Sequence, residues 1–156
     1  MNIEYHKWFS HNLNQEMELK VYGDAGKPLV VFPTQCGRFF DFENNGMIHA
    51  IHPFIDAGKV KVITVDSVDE QSWANWDAHP ADRARRHEDY DRYIIDEVAP
   101  FIRMHSDGTQ EKSIVTGCSM GAYHASNFFF RHPDVFDGLI ALSGLYKLTT
   151  FIGDYV

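Results

Sequence analysis

Gly117-Cys118-Ser119-Met120-Gly121 decides how the rest of this 156-residue chain is read. The pentad follows Ser113-Ile114-Val115-Thr116, a β-prone lead-in. It precedes Ala122–Arg131, which reads as a helix with no glycine or proline near its start. G-x-S-x-G at a strand-to-helix turn is a nucleophile elbow, a tight turn that lifts a serine hydroxyl to the carboxyl edge of a parallel sheet. Glycines two residues either side of the serine let the incoming strand and outgoing helix pass without a Cβ between them.

Working outward, Phe136–Leu142 reads as a last buried strand. Upstream, a helix is expected from about Asp82 to Arg103, with apolar positions at Tyr90, Ile94, Ile95, Val98, Phe101 and Ile102 and a kink near Pro100. Lys59–Val65 is a strand that opens at Asp66 into a loop running to Trp73. Met47–Ala57 reads as a helix closed by Gly58, with Pro53 set to break or kink it. Pro28-Leu29-Val30-Val31-Phe32, ending at Pro33, has the continuous apolar character of a strand buried on both faces. Ile3–Ser10 and Gln15–Tyr22 mix polar with apolar or aromatic residues, the second in clear alternation, and around an Asn12-Leu13-Asn14 turn they predict an antiparallel ribbon. Strands alternating with helices after such a ribbon predict one α/β domain over residues 1–156: three layers around a mostly parallel sheet.

Bulk composition narrows the class. A hydrophobic content of 44% with 23% charged residues is that of an ordinary globular domain. A net charge of -8 argues against nucleic acid or an anionic membrane as partner. Arg83-Ala84-Arg85-Arg86 is followed at once by His87-Glu88-Asp89, the pattern of a salt-bridged helix face. The first residues lack the basic and apolar regions of a signal peptide, and no apolar run approaches the roughly 20 residues of a membrane span. Cys36 and Cys118 offer neither a disulfide framework nor a zinc spacing, so a reducing cytoplasm is the expected location. His49 and His52 have no acid or cysteine in register, and no metal site is predicted.

A serine hydroxyl needs a base, usually a histidine held by a carboxylate, and with this elbow the acid and then the histidine follow in the chain. After Ser119 come His124 and His132, with Asp134, Asp137 and Asp154. His124 is expected to point away along the helix, and His132 to sit at a helix stop. No complete triad is visible. For an oxyanion, the Met120 N–H at the helix N-terminus is one expected donor. The loop Pro33-Thr34-Gln35-Cys36-Gly37 supplies the other, from Gln35 or Cys36. Phe39, Phe40, Trp73 and Trp76, with Cys36, lie in loops at the carboxyl ends of strands and are candidates to line a substrate pocket.

Val30-Val31-Phe32-Pro33, the Gly37 loop, the segment from Asp66 to Trp76, Asp96–Ile102 and Gly117–Ala122 together resemble the esterase branch of the α/β-hydrolases. That branch includes esterase D (S-formylglutathione hydrolase), feruloyl esterases and mycolyltransferases. The resemblance implies an α/β-hydrolase fold, Ser119 as acyl-accepting nucleophile, Met120 and Gln35 as oxyanion donors, a small-molecule ester as substrate, and no cofactor. It also implies roughly a hundred further residues carrying two strands, a helix, the acid and the histidine. The chain is therefore expected to be C-terminally incomplete, with Phe136–Leu142 as an apolar edge that favours a homo-oligomer or a complementing segment. Two other readings stay open: a non-catalytic binding or self-assembling module, and an acyltransferase.

Overall fold

Alternation along Leu29-Val30-Val31-Phe32 sends Val30 and Phe32 into one apolar cluster and Leu29 and Val31 into another, on opposite faces of one sheet. The computed structural model describes residues 1–106 and 111–153. The strands are β1 (Ile3–Ser10), β2 (Gln15–Tyr22), β3 (Lys27–Phe32), β4 (Val60–Val65), β5 (Ser113–Cys118) and β6 (Phe136–Leu142). They form a six-stranded sheet in the order β1-β2-β4-β3-β5-β6. β1, β2 and β4 pair antiparallel in succession, while β4, β3, β5 and β6 run parallel. The ribbon expected from the alternating N-terminal segments is thus present, and it joins the parallel part through β4.

Two layers of helix cover the sheet. The helices are α1 (Asp41–Asn44), α2 (Met47–Asp56), α3 (Pro80–Tyr93), α4 (Ala99–His105), α5 (Met120–Arg131) and α6 (Thr149–Ile152). Ile48 and Ile55 of α2 pack on Tyr22, Leu29, Val31 and Val62. On the opposite face Tyr90, Tyr93, Ile102, Ala125 and Phe128, from α3, α4 and α5, pack on Val30, Phe32, Ile63 and Val115. Phe128 stacks on Phe32 with centroids 5.0 Å apart, which seats α5 directly on β3. Such a pair adds about 0.5–1.5 kcal/mol beyond its buried area.

Two prolines behave differently from the sequence expectation. α2 runs continuously through Pro53 and ends in a Schellman motif, with Gly58 at φ 64°, Gly58 N–H on the Ile55 carbonyl and Lys59 N–H on that of Phe54. The long helix expected over 82–103 is α3 and α4 joined by a π turn at Ile94–Val98, just before Pro100. The widened turn accommodates a residue with no N–H to donate. It also carries Glu97, whose carboxylate accepts from Trp8 Nε1 (2.8 Å), Ser10 Oγ (2.7 Å) and Asn12 Nδ2 (2.9 Å), pinning the ribbon to the helical layer.

Candidate active site

β5 ends and α5 begins at Ser119, which takes φ 57° and ψ -117°. A positive φ in a residue with a Cβ costs on the order of 1–3 kcal/mol, so surrounding bonds must hold it. They do: Ser119 N–H donates to the Leu142 carbonyl (2.9 Å), and the Ser119 carbonyl accepts from Ala122 N–H (3.1 Å) and Tyr123 N–H (3.3 Å). Both flanking glycines are required. A Cβ on Gly117 would lie 2.8 Å from Gly121 Cα, and one on Gly121 would lie 2.6 Å from the Pro33 carbonyl oxygen. The Ser119 side is exposed, whereas Met120 is buried against Trp73 and Phe151. Its N–H is the first of α5, without a partner one turn back and at the positive end of the helix dipole.

The loop after β3 lies beside this turn because β3 and β5 are paired through Phe32 and Gly117. It folds by a Gly37 N–H to Thr34 carbonyl bond of 2.9 Å, with Cys36 at φ 55°. Cys36 N–H donates to Asp69 Oδ2 (3.2 Å), and Asp69 Oδ1 is 2.8 Å from His124 Nε2. Asp69 and His124 are both fully buried and tie the loop to the second turn of α5. Burial pushes the Asp69 carboxyl up, but His124, the Cys36 N–H and His87 outweigh it and hold it below the usual range. His87 stacks on His124 at 5.6 Å, and its pKa falls to about 3, through burial first and the charge of His124 next. With the Cys36 amide committed to Asp69 and that of Gly37 to Thr34, the exposed Thr34 and Gln35 are the residues of this loop whose N–H groups have no partner among the described residues. The Cys36 thiol is raised, by burial and then by Asp69 and Glu70, so it is held protonated.

The Esterase family model matches residues 10–153. The chain belongs to the esterase family. Its backbone is similar to a ferulic acid esterase (TM-score 0.72, 17% identity), with 92% of this chain and 59% of that one covered. It is also similar to the S-formylglutathione hydrolase of Staphylococcus aureus (TM-score 0.71, 16% identity, 99% of this chain and 64% of that one). The S-formylglutathione hydrolase of Agrobacterium tumefaciens gives a TM-score of 0.70 at 16% identity, with 91% and 57% covered. At these identities the likeness shows the fold, an α/β-hydrolase sheet with its helices. The chain spans about 60% of the length of these solved structures. No curated protein matches it.

Beside the elbow the chain carries a groove of about 400 Å³, within the range of small-molecule sites. Phe32, Pro33, Thr34, Phe42, Met47, Cys118 and Leu142 contribute to its largely apolar wall. Thr34 and Cys118 place it next to Gln35 and Ser119. The aromatic residues named from the sequence lie outside that wall. Phe39 is buried, with its N–H on Asp66 Oδ1 (3.0 Å) and its ring against Tyr5 and Phe40. Trp73 packs under the elbow with Met120, and exposed Trp76 stacks on Phe151 at 5.4 Å. Phe42 and Met47 were not anticipated, because nothing in the sequence marks α1 and the start of α2 as facing the elbow.

The two histidines downstream of Ser119 are engaged elsewhere. His124 is held by Asp69, and His132 Nε2 lies 3.0 Å from Asp91 Oδ1. Asp137 pairs with Lys27 Nζ at 2.8 Å, and Asp134 is exposed. Asp154 lies outside the described residues. Among the described residues none hydrogen-bonds to the Ser119 hydroxyl.

Proposed function

We propose that this chain carries the nucleophile and oxyanion hole of a carboxylic-ester hydrolase acting through an acyl-enzyme on a small-molecule ester. The observation that carries the reading is the strained, exposed Ser119 at φ 57°, clamped between two glycines that tolerate no Cβ. Ser119 Oγ attacks the ester carbonyl. The Met120 and Gln35 N–H groups receive the developing oxyanion, and the apolar groove takes the acyl group. Water then releases the acid. The general base is a histidine beyond His124 and His132, both of which are committed to carboxylates. Without that base, turnover falls by several orders of magnitude. No helix of the described residues is long and apolar enough to cross a membrane, and the two free thiols favour a cytoplasmic setting.

The test is fluorophosphonate labelling, mapped by mass spectrometry, of the chain together with a segment that supplies the base. An adduct on Ser119 that disappears in Ser119→Ala is expected. No adduct, or one on another residue, refutes the assignment.

A second reading draws on β6, which pairs only with β5 among the described strands and exposes Ile140 and Leu142. Phe130 and Tyr146 are exposed beside it. An open edge of this kind favours association, with a second copy or a complementing segment. A stable oligomer with no Ser119 adduct in any form would favour a non-catalytic assembling module over the enzyme.

A further inference from the structure

Period-two alternation turns Glu4, His6 and Trp8 of β1 to the same side, and Trp8 packs against Phe101 of α4. His105 closes α4 on that side. The consequence is a second cluster of donor atoms, remote from Ser119. Glu4 Oε2 is 2.9 Å from His6 Nε2 and 3.8 Å from His105 Nε2, and the three atoms lie within 4.8 Å of one another. Four inter-strand spacings, about 19 Å, separate β1 from β5, so this cluster is no part of the esterase machinery.

We propose that Glu4, His6 and His105 bind a divalent transition-metal cation of the zinc class. Tetrahedral bonds of about 2.0–2.1 Å place neighbouring donor atoms about 3.3 Å apart. The two measured separations bracket that value, so small side-chain rotations complete the site. Three further contacts aim the ligands. His105 Nδ1 lies 3.1 Å from the Phe101 carbonyl, which takes its N–H and leaves the Nε2 lone pair facing Glu4. Asn2 Nδ2 donates to Glu4 Oε1 (3.2 Å), turning Oε2 toward the rings. Phe101 stacks on His105 (3.9 Å) and meets the His6 ring edge-on (4.8 Å), fixing both imidazoles.

Two imidazoles with one carboxylate suit Zn²⁺ or its neighbours, whereas Mg²⁺ and Ca²⁺ prefer all-oxygen sites. All three residues are partly exposed, which leaves a fourth position to water. The bound ion would staple the edge strand of the ribbon to the end of α4.

Isothermal titration of the metal-free chain with ZnCl2 tests this. One Zn²⁺ per chain is expected, with no heat from MgCl2. His6→Ala, His105→Ala and Glu4→Gln should each weaken binding by at least about tenfold. His49→Ala, on α2, should leave it unchanged. Zn²⁺ should also raise the melting temperature of the native chain and not of His105→Ala. Absence of saturable binding, or binding that survives His6→Ala and His105→Ala in folded protein, overturns the proposal.

Discussion

The buried histidine stack beneath the elbow makes stability fall on mild acidification, and the size of the fall follows from His87. Its folded pKa, about 3, lies well below the unfolded value of about 6.5, so the unfolded chain binds the extra proton. The associated stability is fully present above about pH 6.5 and declines as pH falls toward 3. Each unit within that window is worth about 1.4 kcal/mol. From pH 7 to pH 5 the loss from His87 alone is about 2 kcal/mol, roughly a 30-fold change in the folding equilibrium. Asp69, whose carboxyl is depressed, contributes in a separate window: its stability is present above the unfolded carboxylate value and is lost below about pH 4. The perturbation is His87→Phe, which keeps a ring between Trp73 and His124 and removes the titrating group. Loss of the Asn127 Nδ2 to His87 Nε2 contact (3.3 Å) adds an offset that does not vary with pH. Urea denaturation followed by circular dichroism at pH 7 and pH 5 gives the stability of each protein. The wild type should lose about 2 kcal/mol more than the variant between the two conditions. Equal losses would refute the reasoning, because other titrating groups are common to both proteins.

Substitutions at two further positions probe the parts that hold Ser119. Asp69→Ala leaves His124 and the Cys36 N–H without their partner in a buried place, and a cost of about 3–5 kcal/mol is expected in chemical denaturation, with Asp69→Asn costing less. Gly121→Ala should destabilise by about 1–3 kcal/mol in thermal denaturation, although alanine is the better helix former by about 1 kcal/mol. The reason is the crowding of its Cβ by the Phe32 and Pro33 carbonyls, and a neutral or stabilising outcome would show that the elbow relaxes.

What could be read from the sequence is what neighbouring residues decide among themselves. β1, β2 and β6 carry the bounds expected of them, because alternation, the Asn14 turn and an apolar run act over a few residues. The elbow is local in the same sense: two glycines and a serine fix its geometry. The loop after β3 was legible as a pair of candidate donors, Gln35 or Cys36, between which the family resemblance points to Gln35. That the Cys36 N–H is committed elsewhere shows only with Asp69, which lies 33 residues from Cys36 in the chain and 55 from His124. No periodicity reports a buried carboxylate bridging a loop to a helix that distant. The same holds for the groove, whose wall joins Phe42 and Met47 to Cys118 and Leu142, and for Glu4 and His6 meeting His105. The π turn at Ile94–Val98 is an intermediate case. Pro100 announces a disturbance, but only the packing of Trp8, Ser10 and Asn12 around Glu97 gives a reason for the helix to widen there instead of bending. Ser119 belongs to both groups. Its identity is local, while the φ of 57° persists because Leu142, from a different strand, accepts its N–H. A substitution that weakens the β5–β6 pairing should therefore disturb the serine before it disturbs the core.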